Sequence, residues 1–325
     1  MVKAIVVRKT GGPNELIPTE VDIGKPGPGE VHLRQTAIGV NFIDTYHRSG
    51  LYPVAALPFT PGMEAVGKIV DVGEGVTDFK DGDRVCYGNG PMGSYAAERI
   101  MPTGSLMKVP GGLKDDHVAG MMLRGLTVWY LLHSLHNLKA GETVLFHAAA
   151  GGVGLIFNQW AKHIGATVIG TVGSEEKAVL ARESGCDHAI LYKDEDFVAK
   201  VKEVTDGKGV SVVYDGVGKD TFMGSLDCLQ KRGLMVSFGN ASGPPPALEI
   251  GDLGPKGSLF VTRPTLFHYT STRPELEQGC TDLFDVVSSG AVKIDVGQSY
   301  GLDQASHAHA DLESRKTTGS TVLVP

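Results

Sequence analysis

The clearest pattern of apolar and polar positions lies in residues 141–173. The run 143–146 is apolar and rich in β-branched and aromatic residues, which is typical of a buried strand. Small residues follow at 148–154, and beyond them apolar residues recur at helical spacing until Gly165, a residue that often ends a helix. A second strand is predicted at 167–172. Strand, small-residue turn, helix and strand together predict the first βαβ unit of a dinucleotide-binding fold.

The small residues of the turn predict contact with a nucleotide. A pyrophosphate reaches the amides at a helix N-terminus only where no side chain stands between them. The turn matches G-x-G-x-x-G except that Ala149 occupies the position of the first glycine. A tight strand-to-helix turn without a ligand is the alternative. The flanking strands and helix favour the nucleotide.

The end of the second strand indicates which nucleotide is bound. An NAD site usually has Asp or Glu there, bonded to the ribose 2′-hydroxyl. Here the strand ends at Gly173 and Ser174, and the acids at 175 and 176 are ordinary residues for a first helical turn. Lys177 lies within reach of a 2′-phosphate, with an exposed helix lysine as the alternative. The absence of an acidic residue at the end of this strand predicts that the cofactor is NADPH.

The rest of the chain predicts a β domain followed by a larger α/β domain. Strands are predicted at 4–7, 30–37 and 64–72, separated by Gly- and Pro-rich turns, which is typical of a small barrel-like domain. A helix at 116–135 precedes further alternation of strands and helices, the pattern of a parallel sheet covered on both faces. The remaining predicted elements are strands near 189–192, 212–214 and 234–238, a sixth strand at 258–263, a loop at 239–257, and a tail at 281–325 with two helices, short strands and a final strand.

Composition narrows the class of partner. The net charge is −7 with no run of basic residues, which argues against nucleic acid or an anionic membrane as the main partner. No apolar stretch is long enough to span a bilayer. The four cysteines are isolated in sequence, with no C-x-x-C pair, so a reducing cytoplasm is expected.

Several motifs in a fixed order carry a family resemblance. GVNFID at 39–44, PGMEAVG at 61–67, VDVGEGVTDFKDGDRV at 70–85 and AAAGGVG at 148–154 resemble the medium-chain dehydrogenase/reductase superfamily. In particular, the chain is similar over its full length to the NADPH quinone oxidoreductases of the zeta-crystallin type. The resemblance implies an α/β fold with a GroES-like β-barrel domain at 1–123 and 266–325 and a Rossmann domain, a doubly wound parallel sheet, at 124–265.

The same resemblance implies a set of site residues. It places Asn41, Ile43, Tyr46 and Tyr52 around the nicotinamide and the quinone. Alternatives are a turn former for Asn41, core packing for Ile43 and ordinary half-buried packing for the tyrosines. For Arg315, a strong phosphate partner, the alternative is a surface salt bridge. The implied cofactor contacts are Asn41, Tyr46, Thr127, Gly151, Gly152, Val153, Gly154, Gly173, Ser174, Lys177, Tyr192, Phe238, Asn240, Arg263 and Arg315.

The sequence departs from the zinc-dependent alcohol dehydrogenases of the superfamily. Those enzymes have a cysteine where this chain has Asn41 and a histidine where it has Met63. Neither an amide nor a thioether is a suitable zinc ligand, so no metal site is predicted. Without zinc to polarise an alcohol, reduction of an electron-poor quinone beside the nicotinamide C4 is the expected reaction.

Two other functions stay open. Related zinc-free members reduce the activated double bond of an enone or 2-alkenal, a reaction that needs a proton donor such as Tyr46 or Tyr52. A third possibility is an NADPH-binding protein with a structural or RNA-binding role, against which the acidic net charge argues. The strand at 258–263 is expected at the edge of the nucleotide-domain sheet, where pairing with a second copy gives a homodimer.

Overall fold

The computed structural model describes all residues from Met1 to Pro325, and the backbone divides into two compact units. The first comprises Met1–Thr127, Thr270–Ser288 and Ile294–Pro325, and the second Val128–Tyr269 and Ser289–Lys293. The domain boundaries after residues 123 and 265 stay a prediction. None of the helices combines the length and the apolar character that crossing a membrane requires.

The strands and helices alternate in the order that the sequence pattern indicates. The strands are β1 (Val2–Val6), β2 (Ile17–Val21), β3 (Glu30–Val40), β4 (Ala65–Val72), β5 (Arg84–Tyr87), β6 (Glu98–Pro102), β7 (Met107–Lys108), β8 (Thr143–His147), β9 (Thr167–Val172), β10 (His188–Leu191), β11 (Val210–Asp215), β12 (Leu229–Ser237), β13 (Phe260–Thr262), β14 (Val296–Gly301) and β15 (Ser320–Val324). The α-helices are α1 (Phe42–Ser49), α2 (Asp115–Trp129), α3 (Gly152–Ile164), α4 (Glu175–Glu183), α5 (Phe197–Val204), α6 (Phe222–Asp227), α7 (Leu266–Tyr269), α8 (Arg273–Ser288) and α9 (Ala305–Glu313).

The first unit is built on a sheet with the strand order β14-β15-β3-β4-β5-β7, in which β6 also pairs with β3. All pairs are antiparallel except β14 with β15. Alternate residues of the long strand β3 face the core, where Val31 and Leu33 are fully buried beside Ile69 and Val85. This alternation of inward and outward residues is typical of a sheet with one buried face. It confirms the β-rich N-terminal domain.

Helix α1 was not predicted, because residues 1–100 showed only strand patterns. Its N-cap is Asn41, whose backbone amide donates to Oδ2 of Asp44 at 2.8 Å. Asn is a preferred N-cap residue, and the carboxylate of Asp44 takes the place that Glu or Gln has in the usual capping box. The helix ends at Gly50, which adopts the left-handed conformation with φ of +84°.

The second unit contains a parallel sheet with the strand order β10-β9-β8-β11-β12-β13. All its pairs are parallel, and the order corresponds to 3-2-1-4-5-6 when β8 is counted first. The order reverses between β8 and β11. In such sheets, ligands bind outside the carboxyl ends of the strands at this reversal. The predicted doubly wound fold is confirmed.

Several element bounds differ from the prediction. The helix predicted at 116–135 is α2 followed by a π-helical segment, Tyr130–Leu135. The tail helix begins at Arg273, where Thr272 and Glu275 exchange hydrogen bonds in the manner of a capping box. The loop at 239–257 contains a short 3₁₀ turn, Ile250–Leu253. Strand β13 begins later than predicted, and Ser258 has a φ of +55°, which is outside the strand region.

Candidate functional site

The turn between β8 and α3 is packed too closely for a side chain at Gly154. A Cβ there would lie 2.6 Å from the carbonyl oxygens of both Ala148 and Ala149. Asn158, one turn further along α3, donates from Nδ2 to the carbonyl of Ala149 at 3.0 Å. The glycine therefore allows the helix to pack against the turn, as the third glycine of the fingerprint does in other dinucleotide sites.

The N-terminus of α3 is suited to an anion. The helix begins at Gly152, has 13 residues and carries no acidic residue in its first turn. Gly151, Gly152 and Val153 are half-buried, and none of them has a large polar side chain that would cover the amides. The positive end of the helix dipole therefore stands at this turn without a carboxylate to neutralise it, as a pyrophosphate site requires.

The predicted cofactor residues of the second unit share one edge of its sheet. Each of them follows the carboxyl end of a strand: Gly173, Ser174 and Lys177 follow β9, Tyr192 follows β10, Phe238 and Asn240 follow β12, and Arg263 follows β13. Because all six strands are parallel, these ends lie on the same side of the sheet.

Gly173 at the end of β9 is covered by Tyr192 and Lys193. A Cβ at Gly173 would lie 3.3 Å from Tyr192 Oη and 3.7 Å from Lys193 Cε. Ser174 caps the following helix, with Oγ accepting from the amide of Lys177 at 3.4 Å. The end of β9 is thus followed by the hydroxyl of Ser174 and the start of α4, which carries Lys177, and Lys193 lies beside Gly173. Lys193 was missed in the sequence, where its place directly after Tyr192 was the available signal.

A buried polar network lies beneath this edge. Asp215 at the end of β11 accepts from the amides of Val217 and Gly218 at 2.8 and 3.0 Å and from the hydroxyl of Thr221 at 2.8 Å. His147 at the end of β8 contacts the hydroxyl of Ser225, 2.9 Å from its Nε2. Burial lowers the pKa of His147, which favours the neutral ring.

Arg263 forms hydrogen bonds with the end of β12 and the loop that follows it. Its Nη1 donates to the carbonyls of Ser237 at 2.7 Å and Gly239 at 3.3 Å. The ring of Phe238 in the same loop lies 5.9 Å from that of Phe146 at the centre of the sheet. These contacts fix the loop that carries the predicted cofactor residues Phe238 and Asn240.

In the first unit, α1 and the turn after it bring together Asn41, Ile43, Tyr46 and Tyr52. Tyr46 is buried, whereas Ile43 and Tyr52 are half-buried. The rings of Tyr46 and Tyr52 lie 5.1 Å apart, and the amide of Tyr52 donates to the carbonyl of Tyr46 at 3.0 Å. The catalytic roles of these four residues stay a prediction.

Asn41 contacts a buried ion pair. Its Nδ2 donates to Oε1 of Glu64 at 3.0 Å, and Nη1 of Arg124 donates to the same oxygen at 3.1 Å. The other carboxylate oxygen accepts from the amide of Leu123. Burial raises the pKa of Glu64, and Arg124 together with the two donors opposes that effect. Sequence reasoning missed Glu64 and Arg124, which lie 60 positions apart in the chain.

The other predicted residues of the first unit are Thr127 and Arg315. Thr127 lies in α2 and donates from Oγ1 to the carbonyl of Leu123 at 2.7 Å. Arg315 lies two residues beyond α9, is exposed and has a φ of +60°. Their contacts with a cofactor stay a prediction.

The residues at the positions of the zinc ligands do not fit a metal. Asn41 donates its amide to Glu64, and Met63 is a buried thioether. The chain holds no group of three His, Cys, Asp or Glu side chains able to bind a metal ion. No step of a reaction is therefore assigned to zinc.

Comparison with known proteins identifies the family to which the chain belongs. Residues 27–111 match the alcohol dehydrogenase GroES-like domain and residues 152–284 the zinc-binding dehydrogenase family. The chain is 49% identical to a quinone oxidoreductase of Pseudomonas aeruginosa, with 100% of both chains covered. The chain belongs to the quinone oxidoreductase family. It is also 51% identical to a 2-haloacrylate reductase of a Burkholderia species, over 100% of this chain and 99% of the relative.

A solved member of the quinone oxidoreductase family has the same fold over its whole length. The Escherichia coli quinone oxidoreductase, determined in complex with NADPH, matches with a TM-score of 0.98 and 48% identity, over 99% of this chain and 100% of that one. The GroES-like and Rossmann architecture expected from the motifs is thus confirmed, and so is membership of the medium-chain dehydrogenases and reductases.

Proposed function

We propose that the protein reduces quinones with NADPH. The observation that carries this proposal is the full-length similarity to quinone oxidoreductases, one of them solved with NADPH. Bound at the carboxyl edge of the parallel sheet, the cofactor would supply a hydride from the nicotinamide C4. The tasks left to the protein are to bind and orient the two reactants, since a quinone ring is already electron-poor.

The end of β9 supports NADPH over NADH. The position where an NAD site has its acid is occupied by Gly173 and Ser174. Glu175, the first acid beyond, forms an ion pair with Arg182. Lys177, Tyr192 and Lys193 are the groups near this tip that can bond or attract a 2′-phosphate.

Asn41 at the N-cap of α1, Tyr46 within the helix and Tyr52 after it are proposed to hold the quinone. An amide has two N–H donors, and Asn41 gives one of them to Glu64. The second is available to a quinone carbonyl, which only accepts. Tyr46 and Tyr52 add hydroxyl groups and flat apolar rings against which a quinone can pack.

A specific observation favours a second function, reduction of an activated alkene. The chain is as similar to a 2-haloacrylate reductase as to the quinone oxidoreductases. A haloacrylate carries a carboxylate, for which a cation is the natural partner. Arg48, the arginine of α1, is bound to Glu313 and His309. Arg48 is therefore already paired and does not serve as the partner of a substrate carboxylate.

Steady-state rates distinguish these functions. NADPH oxidation is measured with 1,4-benzoquinone, 1,4-naphthoquinone, 2-hexenal and 2-chloroacrylate in parallel. The proposal expects kcat/KM to be highest for a quinone. A preference for 2-chloroacrylate or 2-hexenal would make alkene reduction the function. NADPH binding without turnover of any of the four would favour the structural role.

A homodimer is proposed through strand β13. This strand is at the edge of its sheet, and Phe260 and Val261 on it are 61% and 36% exposed. Ile250, in the 3₁₀ turn ahead of it, is 82% exposed. An apolar edge strand readily pairs with a second chain, and a two-fold arrangement is the commonest.

A cytoplasmic location is proposed as well. All four cysteines are free thiols and are buried, as is usual for a protein of a reducing compartment. The net charge of −7 supports a small-molecule substrate over nucleic acid.

A further inference from the structure

A line of hydrogen-bonded side chains runs from the interior of the first unit to its surface. Tyr95 Oη lies 3.0 Å from Oδ2 of Asp44 and 2.9 Å from Nε2 of His309. Nδ1 of His309 lies 3.1 Å from Nη1 of Arg48. Arg48 also donates two hydrogen bonds to Glu313, from Nη2 at 2.6 Å and from Nη1 at 3.1 Å. Asp44, Tyr95 and His309 are fully buried, and only Glu313 is substantially exposed.

The direction of every hydrogen bond in this line is determined. An arginine only donates, so Nδ1 of His309 accepts and its Nε2 carries the proton. Nε2 therefore donates to Tyr95, and the single hydroxyl proton of Tyr95 is directed to Asp44. Burial, and then the charge of Arg48, lower the pKa of His309 to about 3, in keeping with a neutral ring. The carboxylate of Asp44 thus accepts one hydrogen bond from this line, from the hydroxyl of Tyr95.

Asp44 also accepts a hydrogen bond from the backbone at the start of α1. Its Oδ2, which accepts from Tyr95, accepts from the backbone amide of Asn41 at 2.8 Å. Its Oδ1 is buried and has no hydrogen-bond partner. When Asp44 binds a proton, that proton therefore resides on Oδ1 without an acceptor, and both bonds to Oδ2 lose their charge assistance.

Both states of Asp44 are accessible near neutral pH. Burial raises its pKa to about 7, while the amide of Asn41 and the hydroxyl of Tyr95 lower it. Glu64, which directly precedes β4, raises the pKa and Arg124 of α2 lowers it. On α1 itself, His47 has its pKa lowered by burial and Arg48 is paired with Glu313.

We propose that Asp44 is a positioning residue for the reduction: its ionised carboxylate holds the first turn of α1 so that Asn41 and Tyr46 are correctly placed, and its neutral form does not. The proposal rests on the proposed function, since Asn41 and Tyr46 are the residues assigned there to the quinone. It predicts a pH dependence that originates in a residue with no contact to the substrate.

Asp44→Asn isolates the neutral state. The amide oxygen of the new side chain can accept both hydrogen bonds, and its NH₂ group takes the place of Oδ1, which has no partner. For the wild type, we expect kcat to rise with pH through a midpoint near the pKa of Asp44, about 7. The variant should keep the low-pH rate throughout, about tenfold below the wild-type plateau.

Two further variants test the line of hydrogen bonds. Tyr95→Phe removes a donor that lowers the pKa of Asp44, so the rise in kcat should move to higher pH. His309→Gln can still accept from Arg48 and donate to Tyr95, and the profile should stay that of the wild type. A rise in kcat that persists in Asp44→Asn, or that does not move in Tyr95→Phe, would overturn the proposal.

A measurement without substrate separates this inference from the proposed function. The folded pKa of Asp44 lies above its ordinary value of 3.8, so the native state retains a proton that the unfolded chain loses. The raised pKa of Asp44 therefore contributes to the free energy of unfolding below about pH 4, and this contribution is lost as the pH rises to about 7. Asp44→Asn lacks this loss, so its Tm relative to the wild type should increase between pH 5 and pH 8. That increase without quinone turnover would refute the proposed function alone, and its absence would refute the ionisation of Asp44.

Discussion

Asn41 directs its amide nitrogen to the fully buried carboxylate of Glu64, 3.0 Å from Nδ2 to Oε1. Because a carboxylate only accepts, the orientation of the amide is fixed, with Oδ1 turned away from Glu64. Arg124 and the amide of Leu123 fix the carboxylate in turn. Asn41 is therefore a rigid donor and acceptor at the start of α1.

Replacing Asn41 should impair the reaction more than it impairs folding. Asn41→Ala removes one donor to Glu64, at a cost of about 1–2 kcal/mol in the free energy of unfolding. It also removes the donor proposed for the quinone, so kcat/KM for benzoquinone should fall by roughly tenfold to a hundredfold. Thermal unfolding and steady-state kinetics measure the two effects. Asn14→Ala, at an exposed position, is the control and should change neither.

The parts that could be predicted from sequence are those set by local patterns. The βαβ unit at 141–173 follows from periodicity and from Gly154, whose need for a small residue arises within its own turn. Helix α1 was missed because the helix-start signal from Asn41 to Asp44 stood among strand-like segments. The buried polar groups were missed for another reason. Arg48 and His309 are 261 positions apart, and only the folded chain brings them together.

The end of β9 should distinguish the two nicotinamide cofactors. A lost charge-assisted bond to the 2′-phosphate costs roughly 1.5–3 kcal/mol, or about ten- to a hundredfold in affinity. Lys177→Ala, Lys193→Ala and Arg315→Ala should each weaken NADPH in that range and leave NADH unchanged. Fluorescence titration with both cofactors measures this. Lys200→Ala, in an exposed pair with Glu203, is the control. Equal losses for both cofactors would show that a residue does not contact the 2′-phosphate.

The edge strand β13 should govern assembly. Phe260 is 61% exposed in the single chain, so Phe260→Lys leaves the chain's own core intact. A charged residue on an edge strand opposes pairing with another chain. We expect the wild type to be a dimer at micromolar concentration by light scattering and the variant to shift towards monomer. Met223→Lys, at a 40% exposed position of α6, is the matched control. A wild type that is monomeric would contradict the proposed dimer.

The sharpest test of the function concerns Tyr46. If the quinone is reduced by placement beside the nicotinamide, Tyr46 contributes a positioning hydrogen bond of on the order of 1–2 kcal/mol. Tyr46→Phe should then slow quinone reduction by roughly tenfold or less. An essential general acid would instead contribute about 10²–10⁴-fold. Tyr300→Phe loses a hydroxyl bonded to Asp311 and serves as the control.

The direction of the pH profile separates the same two roles. An essential proton donor makes the rate fall as the pH rises through its pKa, because only the protonated form acts. The ionisation of Asp44 changes the rate in the opposite sense, with the higher rate at higher pH. We therefore expect the rate of quinone reduction not to fall at high pH in the wild type, and Tyr46→Phe should not introduce such a fall.

Reduction of 2-hexenal must deliver a proton to carbon, so Tyr46→Phe or Tyr52→Phe should affect that reaction far more. If Tyr46→Phe abolished quinone turnover while NADPH still bound, a proton donor would be required, and alkene reduction would replace quinone reduction as the proposed function.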